Sequence, residues 1–213
     1  MQDDKSRNPR HDHDPKRAHV WGALWRYYFS GLIAAGDCVL DLGCGLGDFI
    51  NNVKARRRIA VDAWPGFPAH LEPGVEGHVG SVTDLEFLEP GSVDFVFASN
   101  LFEHISQADF ARVLAQLRVK LSARGCLTVL QPNYYYAYRE YFDDYTHVTI
   151  YSHLSLADFL RAHGFEVIEV RPRFLPLTVK SRLPAWPILI WAYLHSPWHP
   201  MGKQMLLRAR PLR

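Results

Sequence analysis

Apolar and polar residues follow two regular patterns along most of the chain. Short apolar runs, typical of buried strands, are separated by segments whose apolar positions recur at helical spacing. Strands are predicted at 37–43, 58–64, 76–80, 93–100, 126–133, 165–174 and 203–210, and helices at 48–56, 107–123 and 155–164. Because strands separated by helices pair in parallel through right-handed crossovers, the pattern predicts an α/β fold built on a doubly wound sheet.

The N-terminal part of the chain has a different character. Residues 1–18 are charged and almost without apolar side chains, so we expect a disordered polar tail. Residues 19–35 carry Trp21, Trp25 and Phe29 at helical spacing, which predicts an amphipathic helix with an aromatic face. Such a face more often packs against a core or forms a lid than binds a ligand.

A hydrophobic insertion, residues 174–202, precedes the last predicted strand. Its apolar centre, from Ile188 to Leu194, is far shorter than the ~20 apolar residues that a bilayer requires, so it does not predict a membrane span. The main domain is therefore expected to comprise residues 36–173 and 203–213, with the insertion between its last two strands.

Composition and charge limit the class of protein. With 213 residues, 48% of them hydrophobic, the chain can form one domain with a sizeable core. The net charge of +2 conceals an asymmetry, because residues 171–213 hold eight Lys or Arg and no Asp or Glu, and residues 1–170 have a net charge of −6. A basic end either faces an anionic partner, such as a phosphate-bearing substrate or a membrane surface, or forms a solvated rim.

The residues that bind metals or form disulfides give little signal. Cys38, Cys44 and Cys126 are widely spaced and form no C-x-x-C pair, which favours a reducing compartment over a disulfide framework or a zinc site. The sequence HDHD at 11–14 has no downstream ligands at metal-binding spacing. We therefore expect no metal site and, because the N-terminus lacks the features of a secretory signal, a cytoplasmic location.

The glycine-rich segment after the first predicted strand carries the most informative chemistry. It contains Asp41, Gly43, Gly45 and Gly47 at the strand end, where ligands of open α/β sheets bind. In the dinucleotide pattern G-x-G-x-x-G the third glycine would fall on Asp48. Carboxylates beside a diphosphate repel it but attract a ligand with an ammonium and a sulfonium group. The loop therefore disfavours a nicotinamide oxidoreductase and favours a cationic ligand.

Asp41, Gly43, Gly45 and Gly47 match the D-x-G-x-G-x-G motif of the class I S-adenosylmethionine-dependent methyltransferases, which the chain resembles over residues 36–170. The resemblance implies a Rossmann-like doubly wound sheet of seven strands, mostly parallel with an antiparallel late strand. It also implies S-adenosyl-L-methionine as the cofactor, with its methionine part in the glycine loop and its amino group toward Asp41. The main domain is then the methyltransferase domain.

The same resemblance implies further cofactor contacts. Asp62, at the end of the second predicted strand, lies where the family binds the ribose hydroxyls, and a carboxylate can accept both. Ser81 and Val82 lie at the adenine-binding position, although the family usually has an acid there and Asp84 is an alternative. Asn100, at the end of the fourth strand, corresponds to a contact with the methionine part.

The sequence NLFEHI at 100–105 resembles the NVLEHI of the subgroup called methyltransferase type 11. It places Glu103 and His104 at the start of the next helix. We expect His104 to form the pocket wall or to orient the helix rather than to act as a catalyst.

The acceptor side is predicted in the aromatic segment 131–155, which follows the fifth strand. Aromatic rings with a few polar groups are typical of small-molecule pockets. His147 is the candidate general base, oriented by Asp143 or Asp144, because histidine can accept a proton near neutral pH. The segment also resembles a D…H…S-L lid of bacterial methyltransferases encoded with polysaccharide genes, in which the histidine would only bind the lid backbone. Both roles stay open.

Two interpretations apply to the insertion, whose residues Trp186, Ile190, Tyr193 and Leu194 share one helical side. Segment 183–198 could lie on a membrane surface and bring the site to a lipid-linked acceptor. Alternatively, and in our preferred interpretation, it buries its apolar side over the acceptor pocket or in a homodimer interface.

The predicted function is methyl transfer from S-adenosylmethionine to a small-molecule or glycan-like acceptor, at oxygen in the leading hypothesis. The site residues predicted for it are His147 and Asp144 for catalysis, and Asp41, Gly43, Gly45, Gly47, Asp62, Ser81, Val82 and Asn100 for cofactor binding. A nucleic-acid acceptor is disfavoured because no basic, aromatic recognition module is present. The alternatives are a non-catalytic cofactor-binding regulator and a methyltransferase for a membrane-proximal, lipid-linked acceptor.

Overall fold

The computed structural model describes residues 16–177 and 186–213. Predictions that concern residues 1–15 and 178–185 lie outside the described residues. The regular elements are α1 (Lys16–Tyr27), β1 (Cys38–Leu42), β2 (Arg57–Asp62), β3 (Val75–Val79), β4 (Val93–Ser99), α2 (Gln107–Lys120), β5 (Leu121–Pro132), α3 (Tyr134–Ala137), α4 (His153–Ala162), β6 (Phe165–Pro176), α5 (Pro187–His195) and β7 (Gly202–Pro211).

A seven-stranded sheet in the order β3-β2-β1-β4-β5-β7-β6 forms the centre of the fold. The first five strands pair in parallel, and β7 runs antiparallel to both of its neighbours, β5 and β6. The order reverses at β1, where the chain leaves for β2 on one side and later returns to β4 on the other. This arrangement confirms the predicted Rossmann-like sheet, mostly parallel with an antiparallel late strand. Ligands of such sheets bind at the carboxyl ends of the strands beside this reversal.

The sheet is covered on both faces by separate hydrophobic clusters. Alternate residues of a strand point to opposite faces, so Leu40 belongs to the cluster under α2 and α4, and Val39 to the cluster under α1 and α5. Asp41, two residues after Val39, therefore faces the α1 side. On that side Phe29, Phe49 and Phe97 form edge-to-face and tilted ring contacts that close the core next to the end of β1.

The prediction of a helix at 48–56 is wrong. Residues 43–52 form turns, and the side chains of two adjacent asparagines in them bind backbone groups. Asn51 donates to the carbonyl of His70 and accepts from the amide of Glu72, and Asn52 donates to the carbonyl of Asp48. Asparagine competes with helical backbone bonding in this way, and here the side-chain bonds hold the glycine loop to the β2–β3 connection.

Some element boundaries also differ from the prediction. The first helix starts at Lys16, so residues 16–18 belong to it rather than to the polar tail, and it ends at Tyr27 before a short 3-10 turn at Phe29–Gly31. Helix α2 ends at Lys120 and β5 begins at the next residue, five residues before the predicted strand. In the additional N-terminal part of β5, Leu121 pairs with Val93, the first residue of β4.

Helix α5 lies within the predicted insertion and packs against α1. Leu194 is buried and Ile190 packs on the core, whereas Trp186 is 62% exposed and Trp198, beyond the helix, is 82% exposed. The helical spacing predicts that Trp186 and Leu194 lie on the same side of the helix. Trp186 is exposed and Leu194 is buried, so this prediction is wrong. Among the described residues, no helix has both the length and the apolar character needed to span a bilayer.

Candidate active site

A cavity of about 470 Å³ opens at the carboxyl ends of β1, β2 and β4. This volume lies within the ~300–1,000 Å³ range of small-molecule sites. The glycine loop forms one wall and residues from the segment after β5 form part of the opposite wall. The lining residues are Arg17, Trp21, Asp41, Gly43, Cys44, Gly45, Leu46, Asp48, Phe49, Asp62, Ala63, Trp64, Phe97, Ser99, Asn100, His104, Asp144 and Thr146.

All three glycines of the loop have left-handed backbone conformations, with φ of +67° at Gly43, +52° at Gly45 and +72° at Gly47. A Cβ atom at Gly43 would lie 2.9 Å from a side-chain carbon of Leu101, so a larger residue there must displace its neighbour. A Cβ at Gly45 would meet no atom within 4 Å, because that position faces open space. Gly45 thus offers bare backbone to a ligand.

Asp41 is the buried anion of the cavity, with 3% of its surface exposed. Burial raises the pKa of its carboxyl well above the ordinary value, and the negative charges of Asp62 and Asp48 raise it further, although a hydrogen bond to the backbone of Ile50 lowers it in part. A cationic ligand beside Asp41 would reverse this effect, because a nearby positive charge favours the carboxylate.

Asp62 holds the loop in place. One carboxylate oxygen accepts from the amide of Gly45 at 2.8 Å, and the other accepts from the amide of Trp64 at 2.8 Å. Each oxygen keeps a second lone pair, so the side chain can still accept a ligand hydroxyl. Asp62 lines the cavity, and its bond to Gly45 is a structural role that the sequence motif did not reveal.

Asn100 occupies a left-handed conformation with φ of +49° directly after β4. Its backbone amide donates to the backbone carbonyl of Leu130 at 2.8 Å, and its side-chain oxygen accepts from the side-chain amide of Gln204 at 3.3 Å. A non-glycine residue in this conformation is held there by its surroundings, and such positions concentrate at functional sites. The bonds to β5 and β7 therefore fix Asn100 at the cavity edge.

Helix α1 covers one side of the cavity through Arg17 and Trp21. Arg17 makes two hydrogen bonds to the carboxylate of Asp48, in the turn after the glycine loop. Trp21 packs edge-on against Phe49 and Phe97. The aromatic face predicted for this helix thus packs on the core and also lines the cavity.

We use the name lid segment for residues 134–152. Its backbone docks on the turn after β4, because the amides of Val148 and Thr149 both donate to the carbonyl of Glu103. The hydroxyl of Thr149 donates to the carbonyl of Ile105 at 2.6 Å. Glu103 and His104 lie in this turn, before α2 begins at Gln107, and not at the helix start as predicted.

His104 reaches the cavity and is held by the lid segment. Its Nδ1 lies 3.0 Å from the hydroxyl of Thr146 and 3.2 Å from the carbonyl of the same residue. The Thr146 hydroxyl itself donates to Asp144 at 2.6 Å, so it accepts from His104. The predicted pocket-wall role of His104 agrees with this geometry.

His147 is partly buried and next to His104, with ring centroids 4.8 Å apart. Its Nδ1 lies 2.6 Å from the carbonyl of Tyr141. A carbonyl can only accept, so Nδ1 carries the hydrogen and Nε2 the lone pair. The carbonyl of Tyr141 therefore orients the ring of His147, and Asp144 accepts from the hydroxyl of Thr146.

Glu103 is fully buried, and neither carboxyl oxygen has a hydrogen-bond partner among the described residues. Burial, with a smaller contribution from the charge of Asp144, raises the pKa of its carboxyl to about 8, although an interaction with its own backbone lowers it in part. The sequence motif drew attention to this residue but gave no indication of its burial.

The residues predicted for adenine binding lie apart from the lining. In the described part of the chain, Ser81 binds Thr83 through its hydroxyl, Val82 is buried in the core, and neither lines the cavity. Trp64 does line it, with its ring tilted against His70. The sequence signal for Trp64 was its position two residues after Asp62.

The sequence matches a family model, "Methyltransferase domain", over residues 16–170. Because the match covers most of the chain, this protein belongs to that methyltransferase family. It is an S-adenosylmethionine-dependent enzyme, as the glycine motif indicated, and S-adenosylmethionine is the cofactor of the class. No curated protein matches the sequence.

Solved structures show the same fold. An S-adenosylmethionine-dependent methyltransferase from Archaeoglobus fulgidus is 19% identical with a TM-score of 0.67, covering 91% of this chain and 93% of that chain. One from Clostridium acetobutylicum is 12% identical with a TM-score of 0.64, covering 96% and 94%. One from Mesorhizobium loti is 16% identical with a TM-score of 0.63, covering 88% and 97%.

The residues present fit this cofactor. The buried carboxyl of Asp41, the bare backbone at Gly45 and the acceptor oxygens of Asp62 share one cavity. Two carboxylates in a partly closed cavity suit a ligand with an ammonium and a sulfonium group better than a diphosphate.

Proposed function

We propose that this methyltransferase acts on a hydroxyl oxygen of a small-molecule or glycan-like acceptor. The observation that carries the proposal is that His104, Asp144 and Thr146 line the same cavity as the glycine loop. The lid segment therefore stands opposite the cofactor side, where an acceptor must lie to receive a methyl group.

On the cofactor side, we assign Asp41 to the amino group and Asp62 to the ribose hydroxyls. Gly43, Gly45 and Gly47 supply the close backbone surface, and Asn100 contacts the methionine part. The partly buried ring of Trp64 is our candidate for stacking on the adenine, in place of Ser81 and Val82. Its support is its position in the cavity lining beside Asp62.

On the acceptor side, we assign the activation of the hydroxyl to His147. Its Nδ1 is bound by the carbonyl of Tyr141, so Nε2 can take a proton or bind a cation. Asp144 acts as a positioning residue through Thr146. Tyr134 and Tyr141, with ring centroids 5.3 Å apart, stiffen this part of the lid segment.

The chemistry depends on alignment and on exclusion of water. When bound, S-adenosylmethionine supplies a methyl group on a positively charged sulfur. The chain contributes a fixed loop, a lid and a group that helps the hydroxyl lose its proton. Alignment of reacting groups can supply about 7–11 kcal/mol, and proton removal roughly 10²–10⁴-fold in rate.

The test is formation of S-adenosylhomocysteine in the presence of a panel of phenols, quinols and sugars, followed by mass spectrometry of the product. We expect one class of hydroxyl compound to gain 14 Da (one CH₂), and the Asp41→Asn variant to be inactive with the same compound. Binding of S-adenosylhomocysteine without turnover of any acceptor would favour the alternative of a non-catalytic regulator.

A lipid-linked acceptor is a second candidate, favoured by the exposed apolar side chains of α5. This helix exposes Ile188, Leu189 and Trp191. It lies within the basic part of the sequence, residues 171–213. We expect the protein to pellet with anionic vesicles and the Trp191→Asp variant to lose this binding. Val119→Asp, at an exposed apolar residue of α2, is the matched control.

A further inference from the structure

Three side chains with metal-binding atoms meet where the turn after β4 packs against the lid segment. Glu103, His104 and His147 each offer one ligand atom, and these atoms all lie within 4.8 Å of one another. Nε2 of His104 lies 4.0 Å from Oε1 of Glu103, too far for a direct hydrogen bond. The sequence placed His147 43 residues beyond His104 and predicted no metal site.

Hydrogen bonds fix both imidazoles in the same tautomer. Nδ1 of His147 donates to the carbonyl of Tyr141, and Nδ1 of His104 donates to Thr146. In both rings the lone pair is therefore on Nε2. Histidines that bind metals characteristically donate their other ring N–H to a carbonyl or another acceptor in this way.

Glu103 provides a second, independent indication. Its side chain is 0% exposed and both oxygens lack a hydrogen-bond partner among the described residues, although the group lies against two imidazoles. Buried polar groups are nearly always satisfied, because an unpaired one costs free energy of folding. Among the described residues, the groups that lie against the carboxyl of Glu103 and could share a ligand with it are the two imidazoles.

We infer that Glu103, His104 and His147 bind a divalent transition-metal ion. Imidazole nitrogens favour Zn²⁺, Mn²⁺ or Co²⁺ over Mg²⁺ and Ca²⁺, which prefer oxygen ligands. Ligands ~2.1 Å from a tetrahedral ion are about 3.4 Å apart, so ligand atoms that lie up to 4.8 Å apart must approach by about 1.4 Å to bind it. The partly buried histidine rings can make this movement.

The place of the cluster indicates its use. His104 also lines the cavity, so an ion bound there faces the acceptor side. If the proposed function holds, the ion binds the acceptor oxygen and lowers the pKa of the hydroxyl. The hydroxyl proton leaves to solvent, and the oxygen–methyl bond forms as the methyl–sulfur bond breaks. His147 then acts as a ligand and not as the base.

Asp144 gains a defined role in this arrangement. It accepts from the hydroxyl of Thr146, which accepts from Nδ1 of His104, so the carboxylate positions the imidazole through one residue. Loss of such an outer partner typically weakens metal binding about 10–100-fold. We therefore expect Asp144→Asn to weaken metal affinity by about tenfold without abolishing it.

The test is titration of the metal-stripped full-length chain with CoCl₂, followed by visible absorption, and with ZnCl₂ by calorimetry. His11 and His13 are first replaced by alanine, because HDHD at 11–14 can bind cations on its own. We expect one ion per chain and visible absorption bands. Glu103→Gln, a neutral replacement of the same shape, should weaken binding by at least about tenfold.

His163→Ala is the matched control, because the Nδ1 of His163 also binds a backbone carbonyl, at 2.7 Å, but lies outside the cluster. No binding in the His11→Ala/His13→Ala chain, or equal binding in Glu103→Gln, would overturn the inference. Methylation of the hydroxyl compounds is measured on the same samples. Co²⁺ binding without any methylated hydroxyl product refutes the proposed function alone, and methylation without Co²⁺ binding refutes the metal site alone.

Discussion

The glycine loop and the lid segment face each other across one cavity, but their conformations arise in different ways. The loop depends on three left-handed glycines and on Asp62, whose carboxylate binds the amide of Gly45. The lid segment depends on side chains that bind distant backbone, as Thr149 does when its hydroxyl donates to the carbonyl of Ile105. The loop is thus a short local structure, whereas the lid is assembled from several segments.

This difference explains what each region contributes. A loop whose shape is determined by its backbone conformation presents a constant surface. Such a surface suits a cofactor that all members of a class bind. A lid built from side-chain bonds can change with the acceptor while the sheet stays constant. Variants of the loop should therefore affect cofactor affinity, and variants of the lid should affect turnover.

The largest effect is expected for Asp41→Asn, which removes the buried negative charge of the loop. We expect S-adenosylhomocysteine affinity to fall about 10²-fold, because a charge-assisted hydrogen bond is lost. Calorimetry gives the affinity, and thermal unfolding verifies that the variant folds. Asp109→Asn, at a carboxylate on α2, should leave the affinity unchanged; an equal loss in both variants would contradict the assignment.

Gly45→Ala tests the same cofactor site by adding a methyl group to the backbone of the loop. Gly45 and Gly91 both have left-handed φ, +52° and +65°, and at both a Cβ would meet no atom within 4 Å. Both alanine variants should lose a similar stability, about 1–2 kcal/mol. Gly45→Ala alone should weaken S-adenosylhomocysteine binding, by roughly thirtyfold, since its methyl group enters the ligand space. Equal binding by the two variants would place the ligand elsewhere.

His147→Ala tests the lid. Turnover should slow at least about tenfold while S-adenosylhomocysteine affinity changes little, because the residue serves the acceptor hydroxyl as a base or a metal ligand. Steady-state rates and calorimetry on the same protein separate the two effects. A loss of cofactor affinity with unchanged turnover at saturation would move His147 to the cofactor side.

The smallest effect is expected for Arg17→Ala, which breaks the ion pair between α1 and the glycine loop. Both side chains are partly exposed, so the pair contributes little stability and the cofactor affinity should fall only about two- to fivefold. Hydrogen exchange should quicken in α1 more than in β1. Unchanged exchange in α1 would mean that Trp21 and its ring contacts hold the helix without Arg17.

The sequence predicted the sheet well because its signals are local. Strands β1 and β4 are largely apolar runs ended by glycine or a polar residue, and the order of strands and helices restricts the topology. The loop motif was predictable for the same reason, since Asp41 and its glycines lie within seven residues. The prediction of a helix at 48–56 failed because the side chain of Asn51 binds the distant backbone of His70 and Glu72, which no helical spacing reveals.

The lid side was predictable only by residue type. His147 and Asp144 were singled out, but the bonds from His147 to Tyr141 and from Asp144 to Thr146 depend on how the segment folds back. The burial of Glu103 and the cover that α1 places on the cavity also come from packing between distant segments. Burial of a polar side chain leaves no regular signature in a single sequence.

The central claim is that the cavity binds a positively charged cofactor through Asp41. In the free protein, burial and the charges of Asp62 and Asp48 raise the pKa of Asp41. An ammonium beside it lowers that pKa, so binding must release protons, and affinity must rise with pH until the pKa of the free protein is passed.

Calorimetry of S-adenosylhomocysteine binding near pH 6, in buffers that differ in ionisation heat, measures this directly. We expect one binding site with release of up to about one proton, and loss of the release in Asp41→Asn. Absence of binding, or binding with proton uptake, would contradict the claim.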